Sequence, residues 1–231
     1  MIEARRLDLA LEVAPFLFGS LLVASVVFAG VPTLAARGVA PLGAWMLLSV
    51  PLVFGPILSY GLALVRSEDV PRLAARLRLR ALSRRDLQWA SYGALAIVGL
   101  SAPLALVAQA LGLAVHPPTI PAPPGIHRET LWMVGVWFVY WPINILGEEL
   151  VWRGVVLPRM EQRFGSGAWL VNAALWFAFH LAFGPGNLLV LVPTLLVVPY
   201  ATQRTGNTWV GVILHAVLSG PGFAAMALGL T

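Results

Sequence analysis

The chain has 231 residues, of which 59% are hydrophobic and 11% are charged, whereas a soluble domain carries about 25% charged residues. This composition excludes an ordinary soluble globular protein, because such a domain cannot bury so much apolar surface. It predicts an all-α, polytopic membrane protein built as a helical bundle. No cysteine is present, which excludes disulfides and thiolate chemistry.

The formal net charge of +5 comes from arginine alone, because the chain contains no lysine. A basic balance can indicate nucleic-acid binding. Here the arginines cluster between apolar stretches, where membrane topology explains them better, so we expect no nucleic-acid partner. The first apolar stretch is too long for a cleavable signal peptide and lacks a clear cleavage site. We therefore expect it to remain as an anchor.

Seven apolar stretches approach the ~20 residues that a helix needs to cross a bilayer core about 30 Å thick. They lie at about 13–35, 39–65, 87–115, 130–157, 168–183, 188–202 and 208–230. We interpret residues 1–231 as a single membrane domain. Residues 1–128 form the N-terminal spans and a basic cytoplasmic loop, and residues 129–231 form a motif-bearing catalytic core from the last four spans.

Two glycine–proline clusters interrupt the apolar pattern near the C-terminal end. Gly-Pro-Gly-Asn at 184–187 is a turn signal and predicts a tight hairpin between the fifth and sixth spans. Gly-Pro-Gly at 220–222 predicts a break in the final helix, whose end would then re-enter the membrane rather than cross it.

The distribution of arginines predicts the orientation of the protein. Seven of them fall between the second and third spans: Arg66, Arg72, Arg76, Arg78, Arg80, Arg84 and Arg85. The positive-inside rule places this loop, and with it the N-terminus, in the cytoplasm. Arg159, Arg163 and Arg204 fall on the same side. We expect a multi-pass protein of a prokaryotic inner or plasma membrane.

The basic loop carries two local patterns. Its arginines recur at every fourth position: Arg72, Arg76, Arg80 and Arg84. This spacing predicts an amphipathic helix on the inner leaflet, acting as a topology determinant on anionic lipid or as a docking surface for an acidic or C-terminal end of a substrate. Ser83 and Asp86 fit a capping box that opens the third span.

Two adjacent carboxylates, Glu148 and Glu149, lie within the fourth span, where lipid solvates charge poorly. Arg153 is four residues after Glu149, so the two side chains face each other on a helix in the favourable order. Glu148 is rotated by about 100° from Glu149 and has no partner in its own helix. An ionisable group without a local partner in such a setting is a candidate for chemistry.

Two of the four histidines, His180 and His215, lie inside apolar spans, whereas His116 and His127 lie in the outer loop and are interpreted as solvated bystanders. A lone intramembrane histidine more often packs or makes an interhelical hydrogen bond. Two of them together with Glu148 indicate one site. Counted from the cytoplasmic ends of their spans at 1.5 Å per residue, Glu148, His180 and His215 lie about 16, 20 and 10 Å deep.

This set of residues fits peptide hydrolysis, which needs a base to activate water and donors to stabilise the oxyanion. Glu148 can be the base, His180 can orient the water or share its proton, and His215 can donate to the oxyanion. Ser219, one turn beyond His215, and Asn144, one turn before Glu148, are candidate second donors. The alternative for Asn144 is an interhelical hydrogen bond.

Glu148, His180 and His215 are also a typical zinc ligand set that leaves one position for water. The sequence leaves open a choice between zinc-bound water and a metal-free glutamate mechanism. No cofactor is therefore assigned beyond zinc as one alternative.

The three elements, in this order, resemble the membrane-embedded CAAX-protease and bacteriocin-processing family, also called CPBP or Abi, which includes the Rce1-type proteases. The family pattern is Glu-Glu-x-x-x-Arg, then Phe-x-x-x-His, then His-x-x-x-Asn. Residues 148–153, Glu-Glu-Leu-Val-Trp-Arg, match the first motif in full. His180 matches the second with Trp176 in the Phe position, and His215 matches the third with Ser219 in the Asn position. The resemblance covers residues 130–219.

The resemblance implies proteolysis within the membrane, with Glu148, His180 and His215 as catalytic residues. The implied partners are a membrane-anchored protein or peptide substrate, prenylated or not, and the lipid bilayer. CAAX cleavage itself does not follow, because many prokaryotic members have no known prenylated substrate. Neither substrate identity nor oligomeric state is predicted.

Two other functions are compatible with the same residues. A transporter or ion-relay protein also places Glu, Arg and His in the membrane, but it would usually show matching charged spans in each half, and the first three spans here have almost none. A catalytically inert immunity or scaffold relative is the third interpretation. Its only support is that Ser219 replaces the asparagine of the family pattern.

Overall fold

The computed structural model describes residues 2–65, 70–121 and 125–227, and within these ranges it contains helices and no β-strand. The α-helices are α1 (Ile2–Ser25), α2 (Val31–Ala35), α3 (Pro41–Ser49), α4 (Gly55–Leu64), α5 (Val70–Arg76), α6 (Arg84–Ala110), α7 (Trp132–Glu149), α8 (Leu157–Phe164), α9 (Ala168–Phe179), α10 (Pro185–Thr205) and α11 (Thr208–Ala227). The all-α prediction is confirmed.

Among the described residues, three π-helical turns each connect two α-helices into one continuous helical segment. Val26–Gly30 joins α1 to α2, Val50–Phe54 joins α3 to α4, and Leu150–Val156 joins α7 to α8. A π-helical turn is wider than an α-helical one, and such turns are frequent at functional sites. The third turn directly follows Glu149, so the regular helix assumed from the sequence changes its pitch at the pair of glutamates.

The number of membrane spans differs from the sequence prediction. Five runs of described residues are long and apolar enough to cross a membrane: Glu12–Ala35, Pro41–Leu64, Arg84–Ala110, Arg128–Phe179 and Pro185–Thr205. The predicted count of seven is not confirmed. The fourth and fifth predicted spans fall within one run of 52 residues, and the apolar part of α11, Thr208–Gly220, is shorter than a span. The protein is nevertheless an integral membrane protein.

The chain reverses twice around α9. Gly165, with φ of 56°, ends α8 in a conformation that favours glycine. After α9, a short 3-10 turn at Leu181–Phe183 leads to Gly184, with φ of 87°, and α10 begins at Pro185. The predicted hairpin at 184–187 is confirmed. His180 thus lies just past the end of α9, not inside a helix as the sequence predicted.

The predicted break in the final helix is wrong for the part of the chain that the structure describes. Helix α11 runs without interruption from Thr208 to Ala227, through the Gly-Pro-Gly at 220–222. Membrane helices tolerate proline in their interior because neighbouring helices and local adjustments satisfy the freed backbone groups.

The amphipathic helix predicted for the basic loop is also wrong, because α5 ends at Arg76. Arg78 then has φ of 55° and makes two hydrogen bonds, of 2.8 and 2.6 Å, to Glu161 of α8. Arg80 bonds to Asp86 at 3.1 Å and to the carbonyl of Thr205 at 2.7 Å. These contacts to other elements hold the segment in a non-helical path. Arg66 lies outside the described residues.

The predicted capping box at the start of α6 is confirmed. The Asp86 amide donates to Ser83 Oγ at 3.2 Å, and the Ser83 amide donates to Asp86 Oδ2 at 2.9 Å. Asn207 Nδ2 also donates to Asp86 Oδ2, at 3.2 Å. Asp86 therefore both caps α6 and connects it to the loop between α10 and α11.

The packing of the bundle brings three distant segments to one place. Helix α10 packs against α6, α9 and α11, and α11 also packs against α7. The aromatic core beneath this contact includes Trp152, whose ring stacks on Phe16 at 4.0 Å and meets the edge of Phe179 at 5.7 Å. The C-terminal end of α7, the end of α9 and the middle of α11 consequently meet.

We expect Asp86→Ala to lower the free energy of unfolding by about 1–2 kcal/mol, because it removes the cap of α6 and the contact with Asn207. Arg85→Ala is the control, since Arg85 is exposed in the same helical turn. Thermal unfolding in detergent measures both variants. Equal melting temperatures for the two variants would contradict the role of Asp86.

Candidate active site

The residues singled out in the sequence lie close together and are largely buried. Glu148 is 3% exposed, Glu149 and Arg153 are 0% exposed, and His180 is 8% exposed. The side chain of His215 is 12% exposed. Three ionisable groups of α7 and the following turn therefore share one interior region with a histidine from the end of α9 and one from α11.

Glu149 is bound from two directions through one oxygen. Arg153 NH1 donates to Glu149 Oε1 at 3.1 Å, so the ion pair predicted from the sequence is present. His215 Nδ1 donates to the same oxygen at 3.0 Å, a contact that the sequence did not predict. Because Nδ1 is used in this bond, Nε2 is the nitrogen of His215 that can act on a substrate.

Glu148 has a partner on a different helix. Glu148 Oε2 accepts a hydrogen bond of 2.6 Å from Trp176 Nε1 of α9. Sequence reasoning treated Trp176 as an aromatic replacement for phenylalanine and missed this contact. The indole N–H could have predicted this contact, because a buried tryptophan usually finds a hydrogen-bond acceptor.

The indole of Trp176 lies in the middle of the site. The Arg153 guanidinium carbon is 3.6 Å from the ring centroid, a cation–π contact. The rings of His180 and His215 lie edge-on, with centroids 5.4 and 5.6 Å from that of Trp176. One side chain thus contacts Glu148, Arg153 and both histidines.

The ring of His180 is oriented by the backbone one turn earlier. His180 Nδ1 donates to the carbonyl oxygen of Trp176 at 2.9 Å, which leaves Nε2 as the acceptor of a neutral ring. Phe179 and Phe183 pack edge-on against the ring, at centroid distances of 5.1 and 5.4 Å. The residue is therefore fixed in tautomer and direction.

Ser219 is engaged within the protein. Ser219 Oγ donates to the carbonyl of His215 at 2.9 Å and accepts from Trp141 Nε1 at 3.0 Å. A hydroxyl has one proton, and here that proton is used inside α11. The geometry favours a structural contact between α7 and α11 for this side chain over donation to a substrate.

Asn144 belongs to a polar stripe on α7 that also includes Tyr140 and Glu148. Asn144 Nδ2 donates to the Tyr140 hydroxyl at 3.0 Å, and Trp45 Nε1 of α3 donates to the same hydroxyl at 3.0 Å. The interhelical bond is thus made by Tyr140, a residue that sequence reasoning missed. Tyr140 could have been recognised in the sequence, because residues 140, 144 and 148 are four apart and therefore lie near one face of a helix.

The zinc alternative is not supported by the arrangement of side chains. Across residues 2–65, 70–121 and 125–227, no three His, Asp or Glu side chains are grouped so that they could hold a metal ion. Glu148, His180 and His215 do not form such a group as they are arranged here, and the chemistry below is derived without a metal.

Gly211 allows α11 to approach this site closely. A Cβ atom at position 211 would lie 2.6 Å from Glu149 Oε2 and 2.7 Å from Thr202 Oγ1. Both oxygens are buried and have no hydrogen-bond partner among the residues that the structure describes. The absence of a side chain at 211 is thus what lets Glu149 take its position between Arg153 and His215.

Part of the chain matches a known protein family. Residues 130–220 match the model of a family described as Rce1-like, type II CAAX prenyl endopeptidase. This segment is nearly the same as the one that carries the three motifs. No curated protein and no solved structure matched the chain.

We expect Gly211→Ala to impair both folding and activity, because the added methyl group must displace the Glu149 carboxylate. Overpacking of this kind costs about 1–3 kcal/mol. Gly220→Ala is the matched control on the same helix, where the new Cβ would lie 3.6 Å from Trp141, an ordinary contact. Thermal unfolding of both variants in detergent measures the effect. A Gly211→Ala protein as stable as Gly220→Ala would contradict this packing.

Glu149→Ala is expected to destabilise the fold by about 3–5 kcal/mol, because it leaves the buried charge of Arg153 without its carboxylate. Glu148→Ala should cost less, since its partner is a neutral indole. Denaturation of the two variants side by side tests this order. A Glu149→Ala protein that is well folded yet inactive would instead place Glu149 in the chemistry.

Proposed function

Because the chain belongs to the Rce1-like family through residues 130–220, we propose that it is an intramembrane endopeptidase in which Glu148 activates a water molecule. The family indicates a CAAX-type endopeptidase in general terms. The observation that carries the assignment of residues is a buried carboxylate, Glu148, that contacts the same indole as two histidine rings.

Glu148 is suited to act as a general base through one oxygen. Oε2 is bound to Trp176, and Oε1 has no hydrogen bond to the described residues, so Oε1 is the oxygen for a water molecule. The carboxylate takes a proton from water, and the water oxygen bonds to the substrate carbonyl carbon. Glu148 then gives the proton to the amide nitrogen as the carbon–nitrogen bond breaks.

His180 is suited to orient the attacking water. Its Nδ1 proton is directed at the Trp176 carbonyl, so Nε2 can accept a hydrogen bond from the same water that Glu148 deprotonates. A water held between two acceptors presents its lone pair to the substrate. This positioning accounts for a histidine that is fixed on three sides by aromatic rings and backbone.

His215 and the polar stripe of α7 are suited to stabilise the oxyanion. His215 Nε2 donates when the ring carries both protons, and Glu149 then balances its charge. Tyr140 and Asn144 share a hydrogen bond, and the pair keeps a spare proton in either orientation of the amide. In this proposal they supply the second donor in place of Ser219, whose proton is used elsewhere.

The substrate is proposed to be a membrane-anchored protein or peptide, with a prenylated CAAX-type C-terminus as the first candidate. The family description supports that class. Glu148 is enclosed and lies in an apolar run long enough to cross a membrane, which suits a substrate that is itself held in the bilayer.

Purified protein in liposomes with a panel of membrane-anchored peptides tests the activity. The panel contains a farnesylated peptide with a CAAX end, its unprenylated form and a peptide with a transmembrane anchor. We expect Glu148→Gln and His180→Ala to lower cleavage at least about 100-fold. Glu129→Gln, an exposed glutamate of the outer loop, is the control. Wild-type cleavage by both site variants would refute the assignment.

The source of the second oxyanion donor can be tested separately. We expect Tyr140→Phe to lower kcat about 10-fold or more, because it removes the hydroxyl from the pair that supplies the donor. Ser219→Ala should change kcat less than about 3-fold, since it removes only hydrogen bonds within the protein. A larger loss of kcat in Ser219→Ala than in Tyr140→Phe would identify Ser219 as the second oxyanion donor and contradict this assignment.

A further inference from the structure

We propose that Trp176 is a positioning residue whose indole N–H holds the Glu148 carboxylate in one orientation. The position is occupied by phenylalanine in the family pattern, which has no such donor. The inference rests on the proposed role of Glu148 as the base, and it goes beyond the motif by assigning a function to the residue that departs from it.

The contact between the two residues is short and enclosed. Trp176 is 1% exposed and Glu148 is 3% exposed, and the distance between Nε1 and Oε2 is 2.6 Å. A buried carboxylate that accepts no hydrogen bond loses the free energy of hydration without a compensating interaction. A hydrogen bond to a carboxylate is about twice as strong as one between neutral groups, so the indole N–H fixes the direction of the Glu148 side chain.

The indole is itself held in place by a cation. Arg153 lies 3.6 Å over the ring and is fixed by its 3.1 Å bond to Glu149. A positive charge on the face of the ring attracts the π electrons, which makes the N–H a stronger donor toward Glu148. The brace formed by Glu149 and Arg153 therefore acts on Glu148 through Trp176.

The backbone carbonyl of Trp176 orients His180. The Trp176 carbonyl accepts from His180 Nδ1 at 2.9 Å. Glu148 and His180 are thus both positioned from one residue, the first through its side chain and the second through its main chain. Replacement by phenylalanine keeps the carbonyl and an aromatic ring but removes the N–H, so it isolates the contribution of the hydrogen bond.

The kinetic test compares Trp176→Phe with Trp169→Phe in liposomes, using the farnesylated CAAX peptide. Trp169 lies on the same helix and packs on Tyr200, away from Glu148. We expect Trp176→Phe to lower kcat about 10–100-fold with KM within about 2-fold, and Trp169→Phe to match wild type. Equal kcat for the two variants would overturn the proposal.

A double variant tests whether Trp176 acts through Glu148. If it does, adding Trp176→Phe to Glu148→Gln should cause almost no further loss of the residual rate, because the partner is already changed. A further loss as large as that in the wild-type background would overturn the proposal. If Glu148→Gln itself cleaves at the wild-type rate, the proposed function fails, which is a different outcome.

The smaller phenylalanine ring could leave a void, so a second replacement preserves the volume. Incorporation of 3-benzothienylalanine at position 176 substitutes sulfur for the N–H and keeps the bicyclic ring. We expect the same loss of kcat as in Trp176→Phe. Wild-type values with this residue would assign the effect to packing and overturn the proposal.

Discussion

The site depends on a guanidinium group that is completely removed from solvent. Arg153 is 0% exposed, and a charge in that position lowers the stability of the fold by about 3–5 kcal/mol if its partner is removed. Glu149 supplies the neutralising charge at 3.1 Å, and the face of Trp176 covers the guanidinium at 3.6 Å. His215 is then held by the same glutamate. The positions of three helices follow from this one arrangement.

The two adjacent glutamates acquire different environments because of that constraint. Glu149 faces Arg153 and His215 and is enclosed so tightly that α11 needs glycine at position 211. Glu148 binds a neutral indole through Oε2, and its other oxygen has no hydrogen bond to the described residues. The two consecutive carboxylates therefore differ in their surroundings, and this difference is the basis for proposing Glu148 as the reactive one.

Much of this could be predicted from local sequence patterns, and the rest depends on contacts between distant segments. The Glu149–Arg153 pair, the Ser83–Asp86 cap and the hairpin at 184–187 follow from spacing along the chain. The bonds from Trp176 to Glu148 and from His215 to Glu149 join different helices, so no spacing reveals them. The basic loop and α11 departed from their patterns because partners such as Glu161 and the surrounding bundle outweighed local preference.

The central claim is that Glu148 does the chemistry and Glu149 holds the structure. The most direct measurement is the rate of peptide cleavage per folded molecule for Glu148→Gln and Glu149→Gln in the same liposomes, with the folded fraction determined for each. The account predicts near-complete loss of rate per folded molecule in Glu148→Gln, and in Glu149→Gln a lower folded fraction whose molecules still cleave. A folded Glu148→Gln protein that cleaves like wild type would contradict it.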